Sequence, residues 1–247
     1  MKTRLHDGER LLGVLLRMPA EELLEMCAVA GFDFVVVDGE HGPLDLNLLR
    51  QHLILAELHS MNVLVRVGQD ESATVLRVLD LGADGVVGPH IDTPEQARIL
   101  VDAAHYPPLG HRGFASYGRN ARFGQVQPAE HLAKMQDSTL VIGMIESPRG
   151  VMQTDEILAV PGLDGLMVGP SDLRISSGPD DADPTEAAEQ VHAAVAASGK
   201  IRMDIVLSAE QAARSMQQGA QLVVYNLTHV LMERLTTLRT LGDAARA

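Results

Sequence analysis

A chain of 247 residues exceeds the usual single-domain length but matches the size of one α/β barrel. Apolar residues make up 46% of it, yet aromatics are only 3% and tryptophan is absent, so Leu, Val, Ile, Ala and Met must fill the core. A net charge of −13 argues against nucleic acid or an anionic membrane surface as partner, since both demand basic patches.

The first ten residues carry no apolar signal core, and no apolar run is long enough to span a bilayer. The single cysteine, Cys27, cannot form an internal disulfide, which suits a reducing compartment. It lies in a helix-like stretch, Glu21 to Ala30, and reads as a small core residue rather than a nucleophile. A cytoplasmic protein is expected.

Short apolar runs then recur: Leu11–Leu16, Phe34–Asp38, Val63–Val67, Gly85–Pro89, Leu140–Glu146, Gly165–Val168, Ile201–Val206 and Leu222–Tyr225. Between them lie stretches with helix-spaced apolar residues, such as Ala73–Leu81 and Ala187–Ala197. Gly31-Phe32-Asp33, Gly82-Ala83-Asp84, Gly162-Leu163-Asp164 and Gly219-Ala220-Gln221 each sit immediately before a strand. Glycine best accepts the left-handed conformation that ends a helix, so these four joints mark repeated βα units. Eight strands in this length predict a single (β/α)₈ TIM barrel over residues 1–247, with an open doubly wound sheet as the alternative. No G-x-G-x-x-G follows the first strand, which weakens the dinucleotide-binding form of that alternative.

Two regions break the rhythm. Residues 105–127 are rich in Pro, Gly, Arg and aromatics, and predict a long ordered loop near a site or an interface. Residues 176–184 are polar and turn-rich, and read as a mobile surface loop.

Polar residues gather where strands end. The second strand ends at Asp38, with Glu40 and His41 beyond it; the third carries Arg66; the fourth runs into Gly88-Pro89-His90. The fifth ends at Glu146, and the sixth runs into Gly169-Pro170-Ser171-Asp172. In a barrel all these ends converge on one mouth. Glu146 and Asp172 fit a hard-metal pair that leaves positions of an octahedral ion for water and a chelating substrate. The alternative is a helix-capping Asp and a Glu in an ion pair. Ser171 and Asp172 could begin a turn whose free N–H groups hold a carboxylate. Arg66, inside an apolar strand, is either a structural partner of Asp38 or Glu40 or a fork for an enolate or carboxylate oxygen. His41 is either a general acid/base oriented by Asp38 or a turn histidine bonded to backbone. The other histidines noted, His52, His59, His192 and His229, read as surface or packing residues.

Lysine is scarce: only Lys2, Lys134 and Lys200. The last two precede strands and should face the opposite end of the barrel, leaving none for a Schiff base. If this chain makes a carbon nucleophile from a ketone, a metal must replace the imine as electron sink.

Taken together, Gly31-Phe32-Asp33, Asp38-Gly39-Glu40-His41, Val65-Arg66, Tyr106-Pro107-Pro108 with Gly110 and Arg112-Gly113, Ile145-Glu146, and Gly169-Pro170-Ser171-Asp172-Leu173 resemble the metal-dependent (class II) pyruvate aldolases of the HpcH/HpaI type. That group includes 4-hydroxy-2-oxoheptanedioate and 2-dehydro-3-deoxyglucarate aldolases. The resemblance implies reversible aldol cleavage of a 4-hydroxy-2-oxo acid to pyruvate and an aldehyde. It implies Glu146 and Asp172 as ligands of Mg²⁺, Mn²⁺ or Co²⁺, and substrate binding by Gly169, Pro170, Ser171, Asp172 and Arg66. Arg66 would bind the keto oxygen, and His41 paired with Asp38 would move protons through water. Homo-oligomers, hexamers that exchange a C-terminal helix, are also implied; Thr228 to Leu241 could supply that helix, or could pack as a barrel helix on its own subunit. Three departures stand out: Met144 at an expected Gln, Arg174 at a common Ser, and Ala115 at an expected Gly in a loop of altered spacing. The runner-up expectations are an acyl-CoA lyase like the citrate lyase β-subunit and a noncatalytic barrel that binds a 2-oxo acid.

Overall fold

The computed structural model describes residues 1–247 except Leu44, Ala245 and Ala247. Its strands are β1 (Leu11–Leu16), β2 (Phe34–Asp38), β3 (Asn62–Arg66), β4 (Gly85–Gly88), β5 (Leu140–Ile145), β6 (Gly165–Val168), β7 (Ile201–Val206) and β8 (Leu222–Asn226). They pair in parallel, in chain order, and β8 closes onto β1, which is the expected (β/α)₈ barrel rather than an open sheet. Around them lie α1 (Lys2–His6), α2 (Glu21–Val29), α3 (Leu46–Leu58), α4 (Ser72–Asp80), α5 (Pro94–Ala104) and α6 (Pro128–Ser138). The second half adds α7 (Pro148–Met152), α8 (Thr154–Leu158), α9 (Pro170–Ser176), α10 (Pro184–Ser198), α11 (Ala209–Gln217) and α12 (Leu227–Ala244). Among the described residues no helix is long and apolar enough to cross a membrane. Cys27 is buried in the layer between the barrel and its helices.

Strand side chains alternate between two apolar compartments, as the pleat dictates. Leu11, Leu15, Phe34, Val36, Leu64, Val87, Ile142, Met144, Met167, Met203 and Val224 point inward and pack together; Leu5 of α1 joins them. The intervening residues, Val35, Val63, Val65, Val86, Val141 and Leu166 among them, face the helices. This inward phase of two positions decides what lies at the mouth. Continued past the last apolar layer, it reaches Arg17 after β1, Asp38 on β2, Arg66 on β3, Glu146 after β5 and Gly169 after β6.

The four Gly-x-x joints behave as the sequence indicates. Gly31, Gly82, Gly162 and Gly219 have φ of +93°, +105°, +86° and +102°, the left-handed region that ends a helix without steric cost. The third residue of each joint braces the preceding strand. Asp33 accepts from Leu12 N, Asp84 from Val63 N, Asp164 from Val141 N and Gln221 from Arg202 N, at 2.7–3.0 Å. Each odd-numbered strand is thus pinned at its amino end by the joint leading into the next.

The loop over 105–127 is ordered but lies away from this chain's own mouth. Arg112 pairs with Asp80 at 2.7 Å, Arg119 donates to Leu81 O and pairs with Glu57, and Asn120 donates to Leu79 O. These partners end α3 and α4, so the loop is stapled to the amino end of the barrel. The polar stretch after α9 is exposed, and its last residues help to build the next helix, since Asp183 caps α10 by accepting from Thr185 N. Helix α12 packs on the barrel only through its first turns, around Leu227 and Leu231. Leu227 is its one buried residue, while Met232, Leu235, Leu238 and Leu241 are 51–63% exposed.

Candidate active site

Asp38 and Arg66 face each other across the β2–β3 register and are both buried. Arg66 Nε donates to Asp38 Oδ1 at 2.9 Å and Nη2 to Oδ2 at 2.5 Å, the bidentate fork that makes such a pair tolerable inside a barrel. Nη1 lies 3.1 Å from Glu40 Oε2. Burial works against ionisation of both groups, but the Arg66 bonds, the His41 N–H and Arg17 hold the Asp38 carboxyl below its usual range. Burial works against the charge of Arg66, but Asp38, Glu40 and Glu146 raise its pKa, so it stays cationic at any working pH.

Arg17 is a further partner of Asp38. Its Nε donates to Asp38 Oδ2 at 2.8 Å. The signal was present: Leu11-x-Gly13-x-Leu15-x-Arg17 continues the inward alternation one step beyond the strand.

The expected pairing of the His41 ring with Asp38 is not formed. His41 is exposed, and its hydrogen bond to Asp38 runs from the main-chain N–H to Oδ1 at 3.2 Å. Glu40 N donates to the same oxygen, and Arg66 and Arg17 take the rest of the carboxylate, so no lone pair remains aimed at the imidazole. Asp38 therefore serves the arginines, and His41 stands at the rim, its ring without a hydrogen-bond partner among the described residues.

A different histidine enters the site. His90 follows β4 with φ of +51°, a left-handed conformation that costs a residue with a Cβ about 1–2 kcal/mol. Its main-chain N donates to Glu146 Oε1 at 2.6 Å; ring Nδ1 lies 3.2 Å from the same oxygen, and Nε2 lies 3.4 Å from Glu40 Oε1. Nothing in the hydrophobic alternation announces this, because the placement depends on a backbone turn rather than on strand phase.

Glu146 is buried, and Gly169 lies against it: a Cβ at position 169 would stand 2.6 Å from Glu146 Oε2 and 3.2 Å from Met144 Sδ. Desolvation pushes the Glu146 carboxyl up, and repulsion from Glu40 and Asp172 adds to it; the His90 N–H opposes. Asp172 lies in the first turn of α9, half-buried, after Pro170 and the exposed Ser171. The N–H groups of Ser171 and Asp172 have no intrahelical acceptor there. Arg174 points to solvent, and Met144 belongs to the apolar barrel interior.

This donor set fits a divalent ion. A desolvated carboxylate crowded by two others is a poor resident without a cation, and the absent Cβ at Gly169 leaves room beside Oε2. Among the described residues no group of three or more His, Cys, Asp and Glu side chains is arranged to hold an ion unaided. An ion here would complete its shell from water and substrate, as hard octahedral ions do.

No lysine reaches the mouth. Lys2 pairs with Asp164 at 2.7 Å, Lys200 donates to the carbonyls of Val160 and Leu163, and Lys134 lies beside Asn62 and Asp84. All three belong to the amino end of the barrel.

Residues 12–227 match the sequence model of the HpcH/HpaI aldolase/citrate lyase family. The chain is 32% identical over 235 residues to the 2-keto-3-deoxy-L-rhamnonate aldolase of Escherichia coli K12, covering 93% of this chain and 87% of that one. Its structure is similar to that of the HpcH/HpaI aldolase of Desulfitobacterium hafniense DCB-2, with a TM-score of 0.89 and 27% identity over 98% of this chain and 96% of the other. An HpcH/HpaI aldolase/citrate lyase family protein from Burkholderia cenocepacia J2315 superposes with a TM-score of 0.88 and 30% identity, over 100% and 98% of the two chains.

Proposed function

The chain belongs to the HpcH/HpaI aldolase/citrate lyase family, and from that premise we propose that it is a cytoplasmic carbon–carbon lyase, one aldolase domain over 1–247. Its reaction is the reversible cleavage of a 4-hydroxy-2-oxo acid into pyruvate and an aldehyde. The observation that carries this reading is the meeting of a clamped Arg66 with the desolvated Glu146 at one barrel mouth, with no lysine in reach. A bound Mg²⁺, Mn²⁺ or Co²⁺, held by Glu146 and Asp172, supplies a Lewis acid for the negative charge that develops on the 2-oxo acid.

The chain's own residues do the rest. Asp38 and Glu40 occupy three of the five N–H donors of Arg66, so its plane is fixed while two donors stay available for the keto oxygen. A fixed cation aimed at developing oxyanion charge needs no reorganisation as the C3–C4 bond breaks. Gly169 and the first-turn N–H groups of Ser171 and Asp172, with Pro170 setting the start of α9, receive the substrate carboxylate. His41, at the rim and unpaired with Asp38, takes the 4-hydroxyl proton through water and returns one to the aldehyde oxygen in the reverse direction. The apolar side of α12 supports a homo-oligomer, with hexamers as the expected state; a monomer in light scattering would remove that part of the reading.

Chelation is the direct test. Metal-stripped protein should lose aldol cleavage, and Mg²⁺, Mn²⁺ or Co²⁺ should restore it. Full activity in the stripped protein, unchanged by added ions, would overturn the metal-enolate mechanism. The acyl-CoA lyase alternative gains nothing from the structure, since the three lysines that could meet CoA phosphates sit at the opposite end.

A further inference from the structure

His90 joins two parts of the mouth that share no strand. Its ring spans from Glu146 Oε1, at 3.2 Å, to Glu40 Oε1, at 3.4 Å, and the other Glu40 oxygen is 3.1 Å from Arg66 Nη1. A continuous line of close polar contacts thus runs from Asp38 through Arg66, Glu40 and His90 to Glu146. The line is held by a backbone turn at φ +51°, anchored by Ile91 N donating to Met144 O at 3.0 Å. A non-glycine residue kept left-handed beside a reactive site is an outlier from which a function can be inferred.

The consequence lies in the asymmetry of Glu146. Oε1 faces both the main-chain N–H and the ring of His90. Among the described residues Oε2 accepts no hydrogen bond, and it faces the space left by the missing Cβ of Gly169. We propose that His90 is a positioning residue: by holding Oε1 from ring and backbone, it commits Glu146 to bind its ion through Oε2 alone, and through Glu40 it ties that carboxylate to Arg66. Single-oxygen ligation keeps one more coordination position open for a chelating 2-oxo acid than two-oxygen ligation would. Partners of metal ligands tune affinity in this way without touching the ion. The inference rests on Glu146 and Asp172 holding a divalent ion.

Two variants separate the ring from the turn. His90→Gly and His90→Asn both tolerate the left-handed backbone, but only Asn keeps a side-chain donor near Glu146. Mn²⁺ affinity, read from the free-ion electron paramagnetic resonance signal, should fall roughly 10- to 100-fold in His90→Gly and recover in part in His90→Asn. Thermal melts should show both variants folded. Unchanged Mn²⁺ affinity in His90→Gly, with Glu146→Gln abolishing binding, would overturn the role of His90 while leaving the metal site intact. Failure of the wild-type protein to bind Mn²⁺, or binding unaffected by both Glu146→Gln and Asp172→Asn, would overturn the metal site itself. Strong nitrogen coupling to bound Mn²⁺ that vanishes in His90→Gly would make His90 a ligand, and so also overturn the positioning role.

Discussion

At the amino end of the barrel, Asp33, Asp84 and Asp164 each accept an N–H from the neighbouring strand, and Lys2 neutralises Asp164 at 2.7 Å. At the carboxyl end, Glu40 and Asp172 repel Glu146, which is desolvated and, among the described residues, accepts only from His90. The same residue types therefore do opposite things. Acids at the base accept strand N–H groups and hold strands in place, whereas at the mouth Asp38 and Glu40 are spent on Arg66 and Glu146 has no arginine or lysine paired with it among the described residues. Folding free energy is invested at one end and withheld at the other, a division expected where function needs groups that stability would not choose.

The contrast is broken most severely at the mouth. Arg66→Ala should lower aldol cleavage by about 10²–10³-fold or more, as loss of an oxyanion donor does, and should suppress exchange of the pyruvate methyl protons with solvent. Proton exchange at the wild-type rate would remove Arg66 from its assigned role. Glu146→Gln should be as damaging to activity and yet leave the melting temperature unchanged or higher, because it deletes a charge that burial and two neighbouring carboxylates disfavour. A marked drop in melting temperature would show that Glu146 is a structural group.

His41→Ala should cost about 10²–10⁴-fold in aldol cleavage while sparing methyl proton exchange, since its proton is that of the aldehyde oxygen. Loss of both activities together would place His41 on the pyruvate side. At the base, Asp164→Ala should leave turnover of the folded enzyme intact but cost about 1–3 kcal/mol by orphaning Val141 N and removing the ion pair of Lys2. In a chain of this size that is a fall of about 2–4 °C per kcal/mol, measurable by calorimetry.

The smallest effect is that of pH on stability. Burial lowers the pKa of both His105 and His192 in the folded chain. Unfolded histidine titrates near about 6.5, so as pH falls below that value the unfolded chain takes up protons first. The stability contributed by keeping these rings neutral is complete above that pH and lost as pH drops toward and through the folded pKa. Denaturant midpoints at pH 7.5 and 5.5 should differ in that direction, and His105→Gln should narrow the gap.

Much of this was legible in the chain because periodicity carries it. The eight strands stand within two residues of their expected bounds, and the four Gly-x-x joints fall where a helix must stop and a strand begin. Asp38, Arg66 and Glu146 meet because each continues an inward alternation of two, and Arg17 obeys the same rule. His90 stands among the strand-end residues facing the mouth, but its contacts with Glu146 and Glu40 were not legible, since they depend on a left-handed turn after β4 that no alternation encodes. The placement of the His41 ring was also hidden: adjacency to Asp38 in sequence says nothing about which group, ring or main-chain N–H, the carboxylate will accept. Composition marks the loop over 105–127 as ordered, but its arginines pair with Asp80 and Glu57, acids at helix ends that composition cannot match to them.

The confinement of lysine to one end of the barrel has a practical consequence. Lys2, Lys134 and Lys200 all sit at the base, and the mouth carries its positive charge on arginine alone. Amine-directed coupling would therefore tether the protein by its floor. A solid support functionalised in this way should display every molecule with the opening outward.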